Sequence, residues 1–435
     1  MTSAVESAAP AGNLSAEASR TLGAGLGDSP RLAALRQEAA ELAARMAMPT
    51  RVERPWKYLD VERLNLGGYR AALGATAFEA DIRARHGLAG DAALTLQHNG
   101  ATIATEARAD GVTVTDFASA GASQRSLIDK HLATAVPAGR SKFTALHYAF
   151  LRGGILVDVP ANVEAAGNIR IVRVLEDDNQ LATPHTLIVT GANSRVSVIE
   201  DYRSNDGDIV VLPVVEIVPG PGSEVRYTAL HRWGSHTRVF AEQRTTTERD
   251  SAVISLALVT GGQVVKGHVE SSLAGRGSSS ELYGLFLGDD RQHIDFYTTQ
   301  DHIGADTRSD LLFKSALKGE SRAVYYGLTR VCLGARNADA NQENRNLLLS
   351  RQAKAESDPV LEILTNDVIR VSHGATAGPV DEEQLYYLQT RGIARPAAEA
   401  LLVRAFLGQV LDRVPDEALR DELAAVLEAR IEDVP

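Results

Sequence analysis

A group of potential metal ligands lies in the segment 292–304, where His293, Asp295 and His302 follow one another closely. Residues two apart in a strand point to the same side, so His293 and Asp295 are expected to share a face. Imidazole and carboxylate together suit a first-row metal ion. On a solvated sheet face the same residues would only pair with their neighbours, and this is the commoner role of such side chains. His293 and His302 are therefore candidate ligands with a structural alternative.

A third histidine, His373, lies in the segment SHGAT at 372–376, where a strand-like pattern gives way to a helical one. A neutral imidazole held at such a junction could bind iron or move a proton near neutral pH. The alternative is a plain turn, in which Gly374 supplies backbone freedom and His373 is merely exposed. Taken alone, these residues favour the turn.

Thiol and nucleotide chemistry are sparsely represented in this chain. Cys332 is the single cysteine, which excludes an intramolecular disulfide and an all-cysteine metal site within one chain. It lies in the alternating stretch 327–334, where a small buried hydrophobic residue is more common than a reactive thiolate. The sequence contains no phosphate-binding loop, zinc-protease motif or nucleophile elbow, so a nucleotide site is not expected.

Composition narrows the class of protein further. The 435 residues are 44% hydrophobic and 23% charged, which allows a large core in a soluble chain. A net charge of −11 argues against non-specific nucleic-acid binding. No apolar run reaches the roughly 18 residues of a membrane span, and the first residues lack a signal-peptide pattern. We expect a cytoplasmic protein with no nucleic-acid partner and no membrane partner.

The elements that would position these residues fall into four regions. Residues 1–28 are rich in Ala, Gly and Ser and are predicted to be a disordered tail. An N-terminal helical region, 29–91, is predicted because Ser29 and Pro30 are typical of a helix start. Period-two patterns follow over 92–376, and helical periodicity returns in a C-terminal domain, 377–435.

A repeat runs through the strand region. Four strands begin with the pattern Ser-x-apolar, at Ser194, Ser223, Ser251 and Ser280, in steps of 29, 28 and 29 positions. A further copy begins at Ser321 and resembles the segment that starts at residue 278. A fixed step of this size with no helix inside it indicates supersecondary units that stack. The predicted fold class is mainly β, with a parallel β-helix (β-solenoid) core flanked by N-terminal and C-terminal α-helical regions.

Several longer segments between about residues 50 and 413 resemble a known family. They are RPWKYLD at 54–60, FTAL at 143–146, LLLS at 347–350, PVLEI at 359–363, SHGATAG at 372–378, DEEQLYYL at 381–388 and RGI at 391–393. On these motifs the chain is identified as a member of the SufB/SufD family, the scaffold subunits of the Suf iron–sulfur cluster assembly machinery. The block from 343 to 393 is the most specific part of the resemblance.

The resemblance favours the SufD side of the family over the SufB side. SufB-like chains carry functional cysteines, whereas the position where members often have Cys is Val371 here, and the usual Lys before it is Arg370. Iron–sulfur clusters depend mainly on thiolate ligands. The departure at Val371 weakens any role for this chain in supplying a sulfur ligand to a cluster. It leaves His373 as the candidate ligand from this chain.

What the resemblance implies is a right-handed parallel β-helix that pairs with a SufB-like paralogue. The C-terminal helices would dock a SufC-like ABC ATPase, and the chain alone could form a homodimer. A transient iron–sulfur cluster would form at the interface with the paralogue, with His373 as an interface ligand, and the chain alone would bind no cluster stably. The chain would be a non-catalytic scaffold subunit rather than an enzyme.

Two other functions fit a β-solenoid. A polysaccharide-acting enzyme of the extracellular type would need clustered carboxylates, or a Lys or Arg base, along one groove. The sequence shows no such pairing on equivalent coils and no secretion signal. A purely structural, protein-binding solenoid differs from the scaffold only in lacking a metal role, and replacement of His373 would separate these two.

Overall fold

The computed structural model describes residues 13–72, 74–75, 77–88, 94–106, 108 and 110–432. The α-helices of this part of the chain are α1 (Ala16–Leu26), α2 (Pro30–Arg45), α3 (Glu79–Arg85), α4 (Ala122–His131), α5 (Lys142–Ala149), α6 (Glu382–Thr390), α7 (Arg395–Leu411) and α8 (Glu417–Glu432). None of these helices is long and apolar enough to cross a membrane.

The prediction of a disordered tail over 1–28 is wrong for its second half, which forms α1, while residues 1–12 lie outside the described residues. Ser15 caps α1 by accepting a hydrogen bond from the Ala18 N–H, and Gly27 ends it with a left-handed φ of 70°. The Ser19 hydroxyl donates to the Ala149 carbonyl at 2.7 Å. The low-complexity composition suggested disorder and so concealed this helix. Alanine nevertheless has a high helix propensity, and its small side chain allows close packing.

Two helices also lie inside the range 92–376 that was predicted to be strands. Helix α5 is buried on every side, and a helix without a polar face shows no helical stripe in its sequence. Helix α4 is mostly polar and half-exposed, so its apolar period is weak. Regular coils begin only at Gly154, so the N-terminal helical region extends further along the chain than predicted. Helix α2 begins as expected, with Ser29 as its cap.

The strands of the described residues form two large sheets. In chain order they are β1 (Arg70–Ala71), β2 (Leu94–His98), β3 (Ala101–Thr105), β4 (Thr113–Asp116), β5 (Gly154–Val159), β6 (Glu164–Leu175), β7 (Gln180–Ala182), β8 (His185–Thr190), β9 (Arg195–Ser204), β10 (Ile209–Val211), β11 (Val214–Val218), β12 (Glu224–Arg232), β13 (Arg238–Thr246), β14 (Ala252–Val259), β15 (Val264–Leu273), β16 (Ser279–Gly288), β17 (His293–His302), β18 (Arg308–Leu317), β19 (Arg322–Val331), β20 (Ala338–Leu348), β21 (Lys354–Ile363) and β22 (Val368–Pro379).

From β5 onward the chain alternates between the sheets and builds a parallel β-solenoid. Sheet one contains β5, β8, β11, β13, β15, β17, β19 and β21, and sheet two contains β6, β9, β12, β14, β16, β18, β20 and β22, with parallel neighbours throughout. The predicted β-helix flanked by terminal helices is therefore confirmed.

The stacking predicted from the serine repeat is also present. Val225 lies between Val196 and Val253 in sheet two. The next strand is offset by two residues, because Val253 pairs with Ser280 and the residue that stacks on Ser251 is consequently residue 278. An offset of two residues keeps every side chain on the same face of the sheet. The predicted inward and outward positions of this strand are therefore correct, although its predicted register is wrong by two residues.

Every coil except the last enters sheet two through a residue with positive φ, namely Asn162, Asn193, Gly222, Asp250, Gly277, Asp306 and Asn337. Gly, Asn and Asp adopt this conformation most readily. After four of these corners a serine hydroxyl, from Ser194, Ser223, Ser251 or Ser278, donates to the carbonyl three residues earlier at 2.7–2.9 Å. The repeat detected in the sequence is thus a repeated turn closure.

The copy at Ser321 belongs to the opposite corner. Its hydroxyl closes a similar turn by donating to the Lys318 carbonyl at 2.6 Å, next to Gly319 with φ of 61°. This turn leads into β19 of sheet one. The prediction that Ser321 continues the sheet-two series is therefore wrong, because both corners of a coil use the same turn chemistry.

Three apolar cores join these parts. The space between the sheets holds mainly Val, Ile, Leu and aromatic side chains. The N-terminal helices cover the outer face of sheet one, where the Phe143 and Phe240 rings stack with centroids 4.2 Å apart. Helices α7 and α8 cover the outer face of sheet two, with Leu407 and Leu423 fully buried. The helical regions therefore cover the sides of the solenoid.

Replacing Ser223 should test the turn closure. Its hydroxyl donates to the Gly220 carbonyl and accepts from Thr190, and the residue is buried. Ser223→Ala should lower the free energy of unfolding by about 1–3 kcal/mol, because the buried Thr190 hydroxyl and the half-buried Gly220 carbonyl each lose a hydrogen-bond partner. The half-exposed Ser279→Ala is the control and should stay within about 0.5 kcal/mol of wild type in urea unfolding. Equal losses in the two variants would show that the corner hydroxyl has no special role.

Candidate functional site

The last coil of the solenoid, formed by β21 and β22, is far more exposed than the coils before it. Each strand lies at one end of the strand order of its sheet, so one edge carries backbone groups that the sheet itself leaves unpaired. Most side chains of β22 are exposed or half-exposed, and Ile369 is 70% exposed. Such an edge is a template for a strand of another chain.

His373 lies near the middle of β22, and its side chain is exposed. The expectation of a turn at this position is wrong, because Gly374 is part of the strand as well and α6 begins only at Glu382. The junction between strand and helix follows Pro379 instead. Pairing with β20 holds the whole segment extended, which a local preference of glycine for turns could not reveal.

The partner of His373 in β20 shows which side of the strand the imidazole occupies. That partner is Gln342, which is fully buried. Its amide accepts a hydrogen bond from the Thr329 hydroxyl at 3.0 Å and donates to the Gly327 carbonyl at 3.2 Å, both across the interior. Because neighbours in register share a face, His373 continues an interior column to the open end of the solenoid.

The interior next to His373 is polar. Asn344 and Asn346 follow Gln342 on the same face of β20 and are buried. The Ser357 hydroxyl donates to the side-chain oxygen Oδ1 of Asn344 at 2.5 Å, and the side-chain amide of Asn346 donates to the same oxygen at 2.7 Å. This cluster was missed, although the alternation of Gln and Asn in QENRN at 342–346 was a visible signal.

The two residues before Ser372 supply no soft ligand. Val371 contacts a small apolar cluster that contains Val331 and Ala338. The Arg370 guanidinium donates to Asp339 at 2.9 Å. Among the side chains from Arg370 to His373, the imidazole of His373 is therefore the one whose chemistry would suit a soft metal ion.

The structure does not bring His293 and His302 together. His293 and Asp295 share the outer face of β17, with Nε2 and Oδ2 4.0 Å apart, but Asp295 forms an ion pair with Lys266 at 2.9 Å. His302 lies at the far end of the strand on the interior face, where its ring nitrogens contact the hydroxyls of Thr307 and Ser309 at 2.8 and 2.9 Å. Nine residues of strand, about 30 Å, separate the two histidines, so they cannot share one metal ion.

Cys332 is equally unsuited to be a ligand. It is half-buried after β19, and burial raises the pKa of its thiol, which favours the neutral form over the metal-binding thiolate. Across the residues that the structure describes, no three His, Cys, Asp or Glu side chains are arranged to hold a metal ion. A metal site at His373 would need further ligands from another chain.

A second exposed feature lies on the C-terminal helices. Helices α7 and α8 are fastened to sheet two, where the buried Lys314 ammonium donates to the Phe406 carbonyl at 2.8 Å. Helix α6 is much less covered, with Tyr386 and Tyr387 exposed by 70% and 57%. The exposure of this pair was not predicted, although adjacent residues of a helix point about 100° apart and a narrow buried face covers only one of them.

The architecture is that of a parallel β-solenoid protein with helical regions on both flanks, and its open last coil carries an exposed histidine. Two family models match the chain. The model for the SufBD protein N-terminal region matches residues 25–171, and the model described as SUF system FeS cluster assembly, SufBD core domain, matches residues 173–406. The chain belongs to this SufBD family.

Individual relatives support the same assignment. The chain is 30% identical over 335 residues to the iron–sulfur cluster assembly protein SufD of Bacillus subtilis, covering 76% of each chain. It is 28% identical to the SufBD family protein Rv1462 of Mycobacterium tuberculosis over 64% of this chain and 76% of that one. SufB of Bacillus subtilis is 26% identical over 71% of this chain and 67% of its own. The predicted family resemblance is confirmed.

The buried His302 should make stability depend on pH. Burial lowers its pKa from 6.5 to about 4. Between these values the unfolded chain binds a proton that the folded chain does not, so stability falls as the pH drops through this window. Urea unfolding at about pH 7.5 and about pH 5 should show a larger loss for wild type than for His302→Gln. An identical loss in both proteins would contradict the assignment to His302.

Proposed function

We propose that this chain is a scaffold subunit for iron–sulfur cluster assembly that pairs with a SufB-like paralogue and docks a SufC-like ABC ATPase. The observation that carries this proposal is the open last coil, which presents His373 beside two unpaired strand edges. Membership of the SufBD family supports the assembly role. The chain itself performs no catalytic turnover in this proposal and acts in the cytoplasm.

The paralogue would bind at the end of the solenoid. An edge strand of a similar solenoid can add to β21 or β22 through backbone hydrogen bonds, and exposed apolar side chains such as Ile363 and Ile369 can be covered at the same time. A second copy of this chain offers the same edge, so a homodimer is expected when the paralogue is absent.

His373 would provide one ligand for the nascent cluster, which is the cargo of the complex. The chain alone has one thiol, with a raised pKa, so the remaining ligands must be thiolates of the paralogue. An imidazole at the mouth of the interior can face such thiolates while its strand is fixed by pairing with β20. The cluster is therefore transient and shared, and the separate chain binds none stably.

Replacing His373 should separate the cluster role from assembly. In the complex with the paralogue and the ATPase, His373→Ala should lower the yield of iron–sulfur cluster by about tenfold or more, since even residues that only support a metal ligand contribute about 10–100-fold. Cluster absorbance and bound iron measure the yield. The exposed corner residue His236, changed to Ala, is the matched control and should leave the yield unchanged.

An exposed side chain contributes little to folding, so complex formation and thermal stability of His373→Ala should match wild type. A wild-type cluster yield from a fully assembled His373→Ala complex would remove the ligand role. The chain would then be a structural, protein-binding solenoid.

The ATPase would bind the exposed side of the C-terminal helices. Tyr386 and Tyr387 are large, amphipathic and uncovered, as expected for the centre of an interface. Acidic side chains on α6, including Glu382 and Glu383, surround them and can form a charged rim. Deleting the helices would also uncover sheet two, so point substitutions are the sharper test.

Tyr386→Ser combined with Tyr387→Ser should abolish co-purification of the ATPase, because interface tyrosines commonly contribute about 2 kcal/mol or more each. Phe78→Ser, which removes an 82% exposed ring from the N-terminal region, is the control and should bind the ATPase normally. Full binding of the ATPase by the double variant would show that its docking surface lies elsewhere. Pairing with the paralogue is a separate interaction and can be measured independently.

A further inference from the structure

The segment 54–60, which we call the strap, crosses the outer face of sheet one. It is one of the motifs that carry the family resemblance, and it has no part in the proposed function. The strap begins as a single turn of 3-10 helix, Arg54–Trp56. Leu59, near its other end, is buried in the core that the N-terminal helices share with sheet one. The strap is therefore fixed to the N-terminal helical region.

Trp56 connects the strap to the middle of the solenoid. The centroid of its ring lies 5.3 Å from that of Phe143 in α5 and 6.0 Å from that of Phe240 in β13. The Lys266 ammonium of β15 lies 5.0 Å from the centre of the same ring. One side chain of the strap thus contacts a helix and two neighbouring strands of sheet one.

Arg54 and Tyr58 carry the strap onto the last two coils. The Arg54 guanidinium carbon lies 4.7 Å from the centre of the Tyr326 ring in β19. The guanidinium carbon of Arg322, in the same strand, lies 5.1 Å from the centre of the Tyr58 ring. The Tyr58 hydroxyl donates to Asp358 of β21 at 3.4 Å. One tyrosine therefore joins the N-terminal region to the two strands of sheet one that lie nearest the open end.

Arg322 extends this contact to a second residue of β21. Its guanidinium packs on the Tyr58 ring and also donates to Glu356 at 2.9 Å. Lys57 lies close by, with Nζ 3.8 Å from Asp358, but it is exposed, and an exposed ion pair of this length contributes little. The ring of Tyr58 on the paired guanidinium is therefore the main contact between the strap and the last coil.

The two edge strands at the open end differ in exposure. Residues 355–362 of β21 are half-buried, whereas most residues of β22 are exposed. Each strand lies at one end of the strand order of its sheet, so the difference does not come from strand pairing. The strap lies over sheet one and adds side-chain contacts to β21, on the sheet opposite to β22.

We propose that the strap is a conformational clamp that holds β21 on the stack of coils. When the Tyr58 ring leaves Arg322, β21 can separate from β19 while the earlier coils stay folded. An edge strand opens at lower free energy than strands inside a stack, so a clamp at this position sets how often the edge opens. A strand that is kept extended has less conformational freedom to lose when another strand joins it.

This inference concerns the separate chain, and it stands whether or not the proposed partners bind or His373 acts as a ligand. Replacing Tyr58 in the full-length chain tests it. Tyr58→Leu removes the ring from Arg322 and the hydroxyl from Asp358, so hydrogen exchange in β21 should become about three- to tenfold faster. Tyr58→Phe keeps the ring over Arg322 and should stay within about twofold of wild type.

Val52→Ser is the matched control, because Val52 lies just before the strap and is 94% exposed. Its exchange in β21 should equal that of wild type. Peptides from β5 and β8, at the other end of the stack, should exchange as in wild type in every variant.

The proposal is overturned if Tyr58→Leu leaves exchange in β21 unchanged. It is also overturned if exchange accelerates equally in β21, β5 and β8, which would indicate a global loss of stability. Should Tyr58→Leu fail to fold, the wild-type chain decides the question. After correction for intrinsic exchange rates, the clamped β21 must then exchange more slowly than β22, and equal rates would overturn the proposal.

Discussion

The register between successive coils is the constraint on which the rest of this structure depends. In sheet two, one column of paired residues runs through Val196, Val225, Val253, Ser280, Ser309, Ala340 and Val371. The step between members varies from 27 to 31 residues. Because each strand must stay in register with its neighbours, the difference in length lies in the turns between strands. Left-handed Asn, Asp and Gly residues, followed by a serine hydroxyl that closes the turn, make this possible.

The same register also shows how the interior of the solenoid changes along its length. In the first coils the interior contains closely packed aliphatic side chains and one satisfied ion pair between Arg173 and Glu200 at 2.9 Å. Near the last coil it contains asparagine, glutamine and serine, and the column of Gln342 ends at the exposed His373. Helices cover the two outer faces, and among the described residues the end formed by β21 and β22 leaves one edge of each sheet unpaired.

Much of the fold was predictable because its signals are local and repeated. The serine step predicted the stack, and the helix start at Ser29 and Pro30 is as expected. The errors have a common origin: α1, α5 and the strand around His373 are stabilised by contacts with distant residues. Local preference pointed to disorder, strand and turn respectively, and tertiary packing outweighed it. Ser321 was misplaced because both corners of a coil use the same hydroxyl.

By itself the sequence determined the class of fold, the family motifs and the candidate imidazole, because repeats, caps and motifs are properties of neighbouring residues. The tertiary structure alone decided that His293 and His302 lie on opposite faces and that His373 ends an interior column. It also decided that Tyr58 reaches Asp358, 300 residues further along the chain. These features depend on which coil stacks on which, and that is decided by contacts between neighbouring coils rather than between neighbouring residues.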